Sequence, residues 1–192
     1  MLARRTFLTT GASALLVASC GNAQTAGDTG GLTQATLRRV VRVRFDASPA
    51  EILPQLLTQV ATYDPTISEV RFDHSRSSAP GEMGVGSVRI CVFEDGRELH
   101  EPLLVYDPPH AYAYTVDQDA STLSLPVSEI VLAYEFADNN AGGTDLTVRV
   151  FFDPRIPGTG PVITPVLTGT VRRTFQTAVS VFGGEYLGDE RP

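Results

Sequence analysis

Few residues in this chain are equipped for chemistry, and the most unusual are Arg89 and Glu101. They lie in GSVRICVFEDGRELHEPLLVYDPP, residues 86–109, an alternating stretch that folds back on itself near Asp95-Gly96. Each stands among apolar neighbours in what reads as a half-buried hairpin. A two-residue turn at Asp95-Gly96 would set Ile90 opposite Glu101 and send Arg89 to the other face. A three-residue loop, Glu94-Asp95-Gly96 with a left-handed glycine, would set Arg89 directly opposite Glu101. The glycine suits both. Facing each other, the two would form either a structural ion pair that holds the register or a polar anchor inside an apolar pocket.

The other candidates narrow the chemistry. His74, His100 and His110 are scattered, with no metal-ligand spacing and no cysteine partner, so no metal is expected. His74 shares a strand face with Val70 and Phe72, which would let it reach a pocket on that face. Gly84-Val85-Gly86 leads into a strand rather than a helix and is no nucleotide fingerprint. Ser124, Ser128 and Ser180 have no nucleophile-elbow context. Every basic residue is Arg, and the absence of Lys excludes Schiff-base catalysis. Cys91 reads as a small buried apolar residue rather than a nucleophile. Tyr112, Tyr114 and Tyr134 can present hydroxyls to a pocket or pack across strands. For acid–base work only Glu101, His74 and the tyrosines remain. No cofactor is implied.

The elements that must position these residues follow from periodicity. LRRVVRVRF alternates, with Val41, Val43 and Phe45 on one face and Arg42 and Arg44 on the other. It ends at DASPAE, where Ser48 and Glu51 have capping-box spacing and Pro49 suits the first helical position. A short helix is predicted over residues 49–63, irregular near Pro54. ISEVRFDHS alternates again, residues 75–86 form a Gly/Ser/Pro loop, and the hairpin follows. Asp107-Pro108-Pro109 stops its second strand. HAYAYTV puts Tyr112 and Tyr114 on one side. VSEIVLAYEFA aligns Ile130, Leu132, Tyr134 and Phe136, and TDLTVRVFF aligns Leu146, Val148, Val150 and Phe152. From residue 161 to about 186 the period becomes 3.6, with a stripe that includes Val162, Val166, Val171, Phe175 and Phe182. The order is α+β: seven strands in sequence, hence antiparallel, with one short helix and one long C-terminal helix. A curved seven-stranded sheet around that helix leaves a cavity between them.

The N-terminus is an address. MLARRTFLTTGASALLVASC has a basic start, an apolar run over residues 7–18 and small residues before Cys20, the pattern of a secretory signal. Arg4-Arg5-Thr6-Phe7-Leu8 resembles the twin-arginine export motif. Leu16-Val17-Ala18-Ser19-Cys20 resembles a bacterial lipobox, which implies acylation of Cys20 and anchoring in the cell envelope on the periplasmic side. Gly21 after the Cys implies sorting to an outer membrane. The divisions are then a signal peptide over 1–19, a flexible Gly-rich tether over 20–36, one domain over 37–188 and a tail over 189–192. With Arg4 and Arg5 set aside, the 15 basic residues fall to 13 against 22 acidic ones, a balance of −9. Such a surface is a poor partner for nucleic acid, and no Arg cluster with interleaved aromatics is present.

Taken together, VRFDASPAE, Gly84-x-Gly86-x-x-Arg89, Asp95-Gly96, Glu101 followed by VYDPPHAYAYTV, Gly142-Gly143-Thr144 and the long last helix resemble the START-like helix-grip superfamily (SRPBCC). The similarity is to its polyketide cyclase/dehydrase and lipid-transport branch and covers residues 38–187. Members usually carry a Trp in the aromatic segment after the first helix. This chain has none, which changes the pocket rim near Tyr63. The resemblance implies a helix-grip fold and a small apolar or amphipathic ligand held between sheet and helix. It also favours the three-residue loop, with Arg89 opposite Glu101 and Cys91 opposite Leu99 on the cavity face. Arg89, Glu101, Leu99, Tyr112, Tyr114, Val148 and Phe175 are then the expected ligand-binding residues. A cyclase- or dehydratase-like enzyme acting on such a molecule is the alternative the resemblance allows.

Overall fold

The computed structural model describes residues 31–192, so Cys20, the predicted signal peptide and the tether as far as residue 30 lie outside the described residues. Strand β1 (Leu37–Phe45) alternates as its sequence requires. Val41, Val43 and Phe45 are buried, while Arg42 and Arg44 point outward to Glu190 and Asp145, each at 2.8 Å. Helix α1 (Pro49–Thr58) starts with Pro49 in its first turn. The Glu51 carboxylate accepts from the Ser48 N–H at 3.0 Å and from its hydroxyl at 2.7 Å. The predicted irregularity falls elsewhere. Helical geometry continues through Pro54, and the break comes at Gln59 (φ −106°, ψ 34°), after which α2 (Val60–Tyr63) completes the segment. Pro54 forgoes the backbone bond to the Ala50 carbonyl, yet the helix runs on through it.

The chain then forms β2 (Ile67–Asp73), β3 (Val88–Phe93), β4 (Glu98–Asp107), β5 (Ala111–Thr115), β6 (Val127–Asp138) and β7 (Thr144–Pro154). Helix α3 (Gly160–Phe182) follows, and β8 (Gly184–Glu190) ends the fold. The sheet is antiparallel in the order β2-β3-β4-β5-β6-β7-β1-β8. It has eight strands, not the seven expected. The extra strand arises because α3 stops at Phe182 rather than near residue 186. Gly183 (φ 81°) and Gly184 (φ 139°) turn the chain into β8, which pairs with β1. The predicted tail is therefore part of this strand as far as Glu190.

The tether also differs from expectation in its last residues. Thr33 donates its hydroxyl to Glu129, Thr36 donates its own to Asp153 at 2.8 Å, and the Phe152 N–H bonds the Thr36 carbonyl at 3.1 Å. Leu32, Ala35 and Leu37 cover a small apolar cluster on the outer face of the sheet, formed by Ala113, Val131, Ala133 and Phe151. The main core lies on the other face. There the inward side chains of β1 and β4–β7 meet Ile52, Leu53, Leu56 and Leu57 of α1 and Phe175 and Ala178 of α3.

Candidate functional site

The β3–β4 hairpin answers the register question. The Phe93 N–H bonds the Arg97 carbonyl at 2.8 Å, the Gly96 N–H bonds the Phe93 carbonyl at 2.9 Å, and Gly96 has φ 81°. The loop is thus three residues with a left-handed glycine. Arg89 is opposite Glu101 and Cys91 is opposite Leu99. Arg89 Nε donates to Glu101 Oε2 at 2.7 Å, and its Nη1 donates to the Leu57 carbonyl at the end of α1 at 3.2 Å. Both side chains are almost wholly buried, at 4% and 6% exposure. The Arg89 guanidinium lies 4.4 Å from the centroid of the Tyr114 ring. That cation–π contact fixes its plane and offsets part of its desolvation.

A cavity of about 310 Å³ opens from this pair. Its floor is the concave face of the sheet, with Leu99, Tyr114, Leu132, Tyr134 and Val150. Val60 and Tyr63 of α2 close one side, Leu123 and Leu125 of the loop before β6 another, and Leu167, Val171 and Phe175 of α3 the roof. Asp64, Thr66, Thr170 and Thr174 supply polar groups. Thr174 reaches Asp64 Oδ2 at 3.4 Å, tying α3 to the turn after α2. Apart from these groups and the Arg89–Glu101 corner, the walls are apolar and aromatic. The Tyr114 and Tyr134 hydroxyls are 3.1 Å apart. Burial pushes the pKa values of Tyr63, Tyr114 and Tyr134 up, so they stay protonated as hydrogen-bonding groups.

Of the residues expected at a ligand, Arg89, Glu101, Leu99, Tyr114 and Phe175 line this cavity. Tyr112 and Val148 do not. Tyr112 stacks under Tyr134 at 4.2 Å between centroids, and Tyr112 and Val148 are fully packed in the core that includes the buried face of α1. The inward face of each strand is longer than the cavity, so one pleat of the face lines it and the next is core. On β7 the lining residue is Val150, two residues from Val148. Tyr63 lies at the rim as the resemblance implied, whereas the loop residues Leu123 and Leu125 were missed. Their only sequence signal is apolar character beside turn residues.

His74 does not reach the cavity. It pairs through Nδ1 with the Ser87 hydroxyl at 2.9 Å and stacks on Phe72 at 6.0 Å. His100 pairs with Glu98 at 3.1 Å. Cys91 does face the cavity, but burial pushes its thiol far upward and the neighbouring Glu101 adds to that. The thiol donates to Glu101 Oε2 at 3.3 Å and is no nucleophile. Among the described residues no group of His, Cys, Asp and Glu could hold a metal ion. The chemistry available is therefore hydrogen bonding from one charged corner and a tyrosine pair into an apolar chamber.

An antiparallel sheet wrapped on one long C-terminal helix, with a chamber between them, is the helix-grip fold. Solved structures with a similar fold include START-like and related proteins. A START superfamily protein from Mycobacterium smegmatis is similar with a TM-score of 0.58 at 12% identity, over 76% of this chain and 97% of that one. Ara h 8.0201 is similar with a TM-score of 0.56 at 14% identity, over 77% and 98%. The di-domain ARO/CYC protein BexL of the BE-7585A biosynthetic pathway reaches 0.52 at 17% identity, over 76% of this chain and 50% of that one. At such identities the likeness is one of fold. No protein-family model and no curated protein matches the chain.

Proposed function

We propose that this protein binds a small apolar or amphipathic molecule in the cavity between sheet and α3, with Arg89 and Glu101 as the polar anchor. The observation that carries this reading is the cavity itself: about 310 Å³ of mostly apolar space with a single buried charged corner. Because the two charges neutralise each other, the corner offers both a donor and an acceptor without net charge. A hydroxyl or carbonyl suits it better than a carboxylate, which would leave an unbalanced charge inside.

The signal and lipobox patterns support a protein exported and acylated at Cys20, working at the periplasmic face of the envelope. A fatty-acid probe should label the wild type, and Cys20→Ser should remain unlabelled. The cyclase or dehydratase reading draws support from the BexL likeness and the tyrosine hydroxyls, and turnover of a bound molecule would establish it.

The test of binding is direct. Mass spectrometry of the purified protein should find a co-purifying molecule, and a fluorescent apolar probe should bind at one equivalent. Leu132→Trp, which fills the chamber, should abolish probe binding with the fold retained. Arg89→Met should weaken a hydroxylated ligand by about 1–3 kcal/mol, the scale of one charge-assisted hydrogen bond. Full probe binding by Leu132→Trp would move the site elsewhere.

A further inference from the structure

Helix α3 is held unevenly. Its C-terminal half carries Phe175 and Ala178 in the core, sets Phe182 edge-on against Tyr63 at 5.6 Å, and ties Arg172 to Asp189 at 2.7 Å. Its N-terminal half has only Thr168 buried. Pro165 breaks the backbone bonding there, and Gly169 faces open space. This half nevertheless roofs the cavity through Leu167 and Val171.

The outward side of the same half is apolar. Ile156, Val162 and Val166 are 65%, 73% and 63% exposed, among the most exposed large apolar side chains described. Pro157, Pro161 and Pro165 lie exposed between and beside them. A contiguous apolar tip of this kind marks a contact surface. Its charge pattern indicates with what. From Arg155 to Gly184 there is no acidic residue, in a chain with 22 of them. Arg155 and Arg173 flank the tip with no carboxylate within salt-bridge distance among the described residues; their side chains bond only Gln118 and Thr170.

The chain also enters the domain at this end. Thr36 bonds Asp153, and the Arg155 N–H donates to the Pro126 carbonyl at 3.1 Å, five residues before α3 begins. Strand β1 therefore starts at the end of the sheet from which α3 departs.

We infer that the tip formed by Ile156, Val162 and Val166 docks into an anionic phospholipid bilayer, flanked by Arg155 and Arg173 on the headgroups, and that this places the roof of the cavity at the membrane surface. Exposed valine, isoleucine and proline supply the shallow apolar insertion, and the two cations supply the attraction to anionic headgroups. The inference rests on the exposed surface of α3 and is independent of which ligand fills the cavity and of whether Cys20 is acylated.

The test places an environment-sensitive fluorophore on the full chain carrying Cys20→Ser, at Val162→Cys or at Ser180→Cys on the same helix. Cys91 is 2% exposed with a raised thiol pKa, so labelling is confined to the introduced residue. Vesicles of phosphatidylcholine, with and without phosphatidylglycerol, are then added. The expected result is a blue shift and quenching by brominated lipid at position 162 with the anionic vesicles, and neither at 180. The N-terminal apolar segment cannot produce this difference, because the readout is local. Arg155→Gln and Arg173→Gln should each weaken the response about fivefold, and Val166→Asp should remove it, with far-UV circular dichroism unchanged. No shift at 162, or equal shifts at both positions, would overturn the inference. So would a shift at 162 that grows with protein concentration in the absence of vesicles, since that would mean a second copy covers the tip.

Discussion

Arg89 and Glu101 show how far a single pair can be read from sequence. Their equal distances from the Glu94-Asp95-Gly96 loop make them neighbours once that loop is chosen, and the structure has them at 2.7 Å. The third member of the arrangement was not legible. The Leu57 carbonyl that caps the guanidinium comes from α1, 32 positions earlier, and no local pattern predicts that meeting. Nor was the neighbouring Cys91 thiol's bond to the same carboxylate. The pair is buried on all sides except the cavity, so truncating one partner strands a charge. Arg89→Met and Glu101→Leu should each lower stability by about 3–5 kcal/mol, whereas the double variant should cost less than either single one. Urea denaturation of the four proteins measures this. Additive losses would mean the two charges are solvated independently through an open cavity.

At the scale of elements, periodicity located β1 to β7 and both helical regions, but it failed where pairing is set at long range. GGEYLGDE reads as a fraying helix end because its apolar content is only Tyr186 and Leu187. The consecutive glycines at 183 and 184 were the available signal. A side chain at Gly184 would put its Cβ 2.1 Å from the Arg44 carbonyl, so only glycine lets β8 lie against β1. Gly184→Ala should cost about 1–3 kcal/mol. Gly169→Ala, in a helix with nothing within 4 Å, should gain about 0.5–1 kcal/mol. Thermal unfolding distinguishes them, and equal effects would remove the close-approach argument. Two carboxylates fasten the terminal elements. Bonds from Arg172, then from Tyr186, hold Asp189 below the usual carboxylate range, and those from Thr36 and Arg38 do the same for Asp153. Lowered folded values mean that their stabilisation is complete above the ordinary carboxylate pKa of 3.8 and is lost as pH falls through the lower folded values. Asp189→Asn should therefore be less stable at neutral pH and show a flatter acid limb. An unchanged acid limb would assign the acid sensitivity to other carboxylates.

For the whole molecule, the α+β order and the position of the chamber were legible because one face of each strand is apolar in register. The covered outer face was not read, although VSEIVLAYEFA is apolar on both sides in its middle, which is the mark of a strand buried twice. Its cover, Leu32 and Ala35, comes from a segment whose composition resembles a linker. The position of β1 has a further consequence, for biosynthesis. It lies between β7 and β8, and its partners begin about a hundred residues later, with the last of them ending at Glu190. Contacts of such sequence separation make folding slow, and here they also make it late. A nascent chain paused before β7 has emerged contains β1 with neither neighbour, so it should be fully sensitive to protease, and protection should appear only when the C-terminus leaves the ribosome. Protection of shorter stalled chains would show that the β2–β6 part folds alone. With late closure the β7-β1-β8 side of the sheet forms only after translation has finished, and until then the apolar face of β1 has no cover.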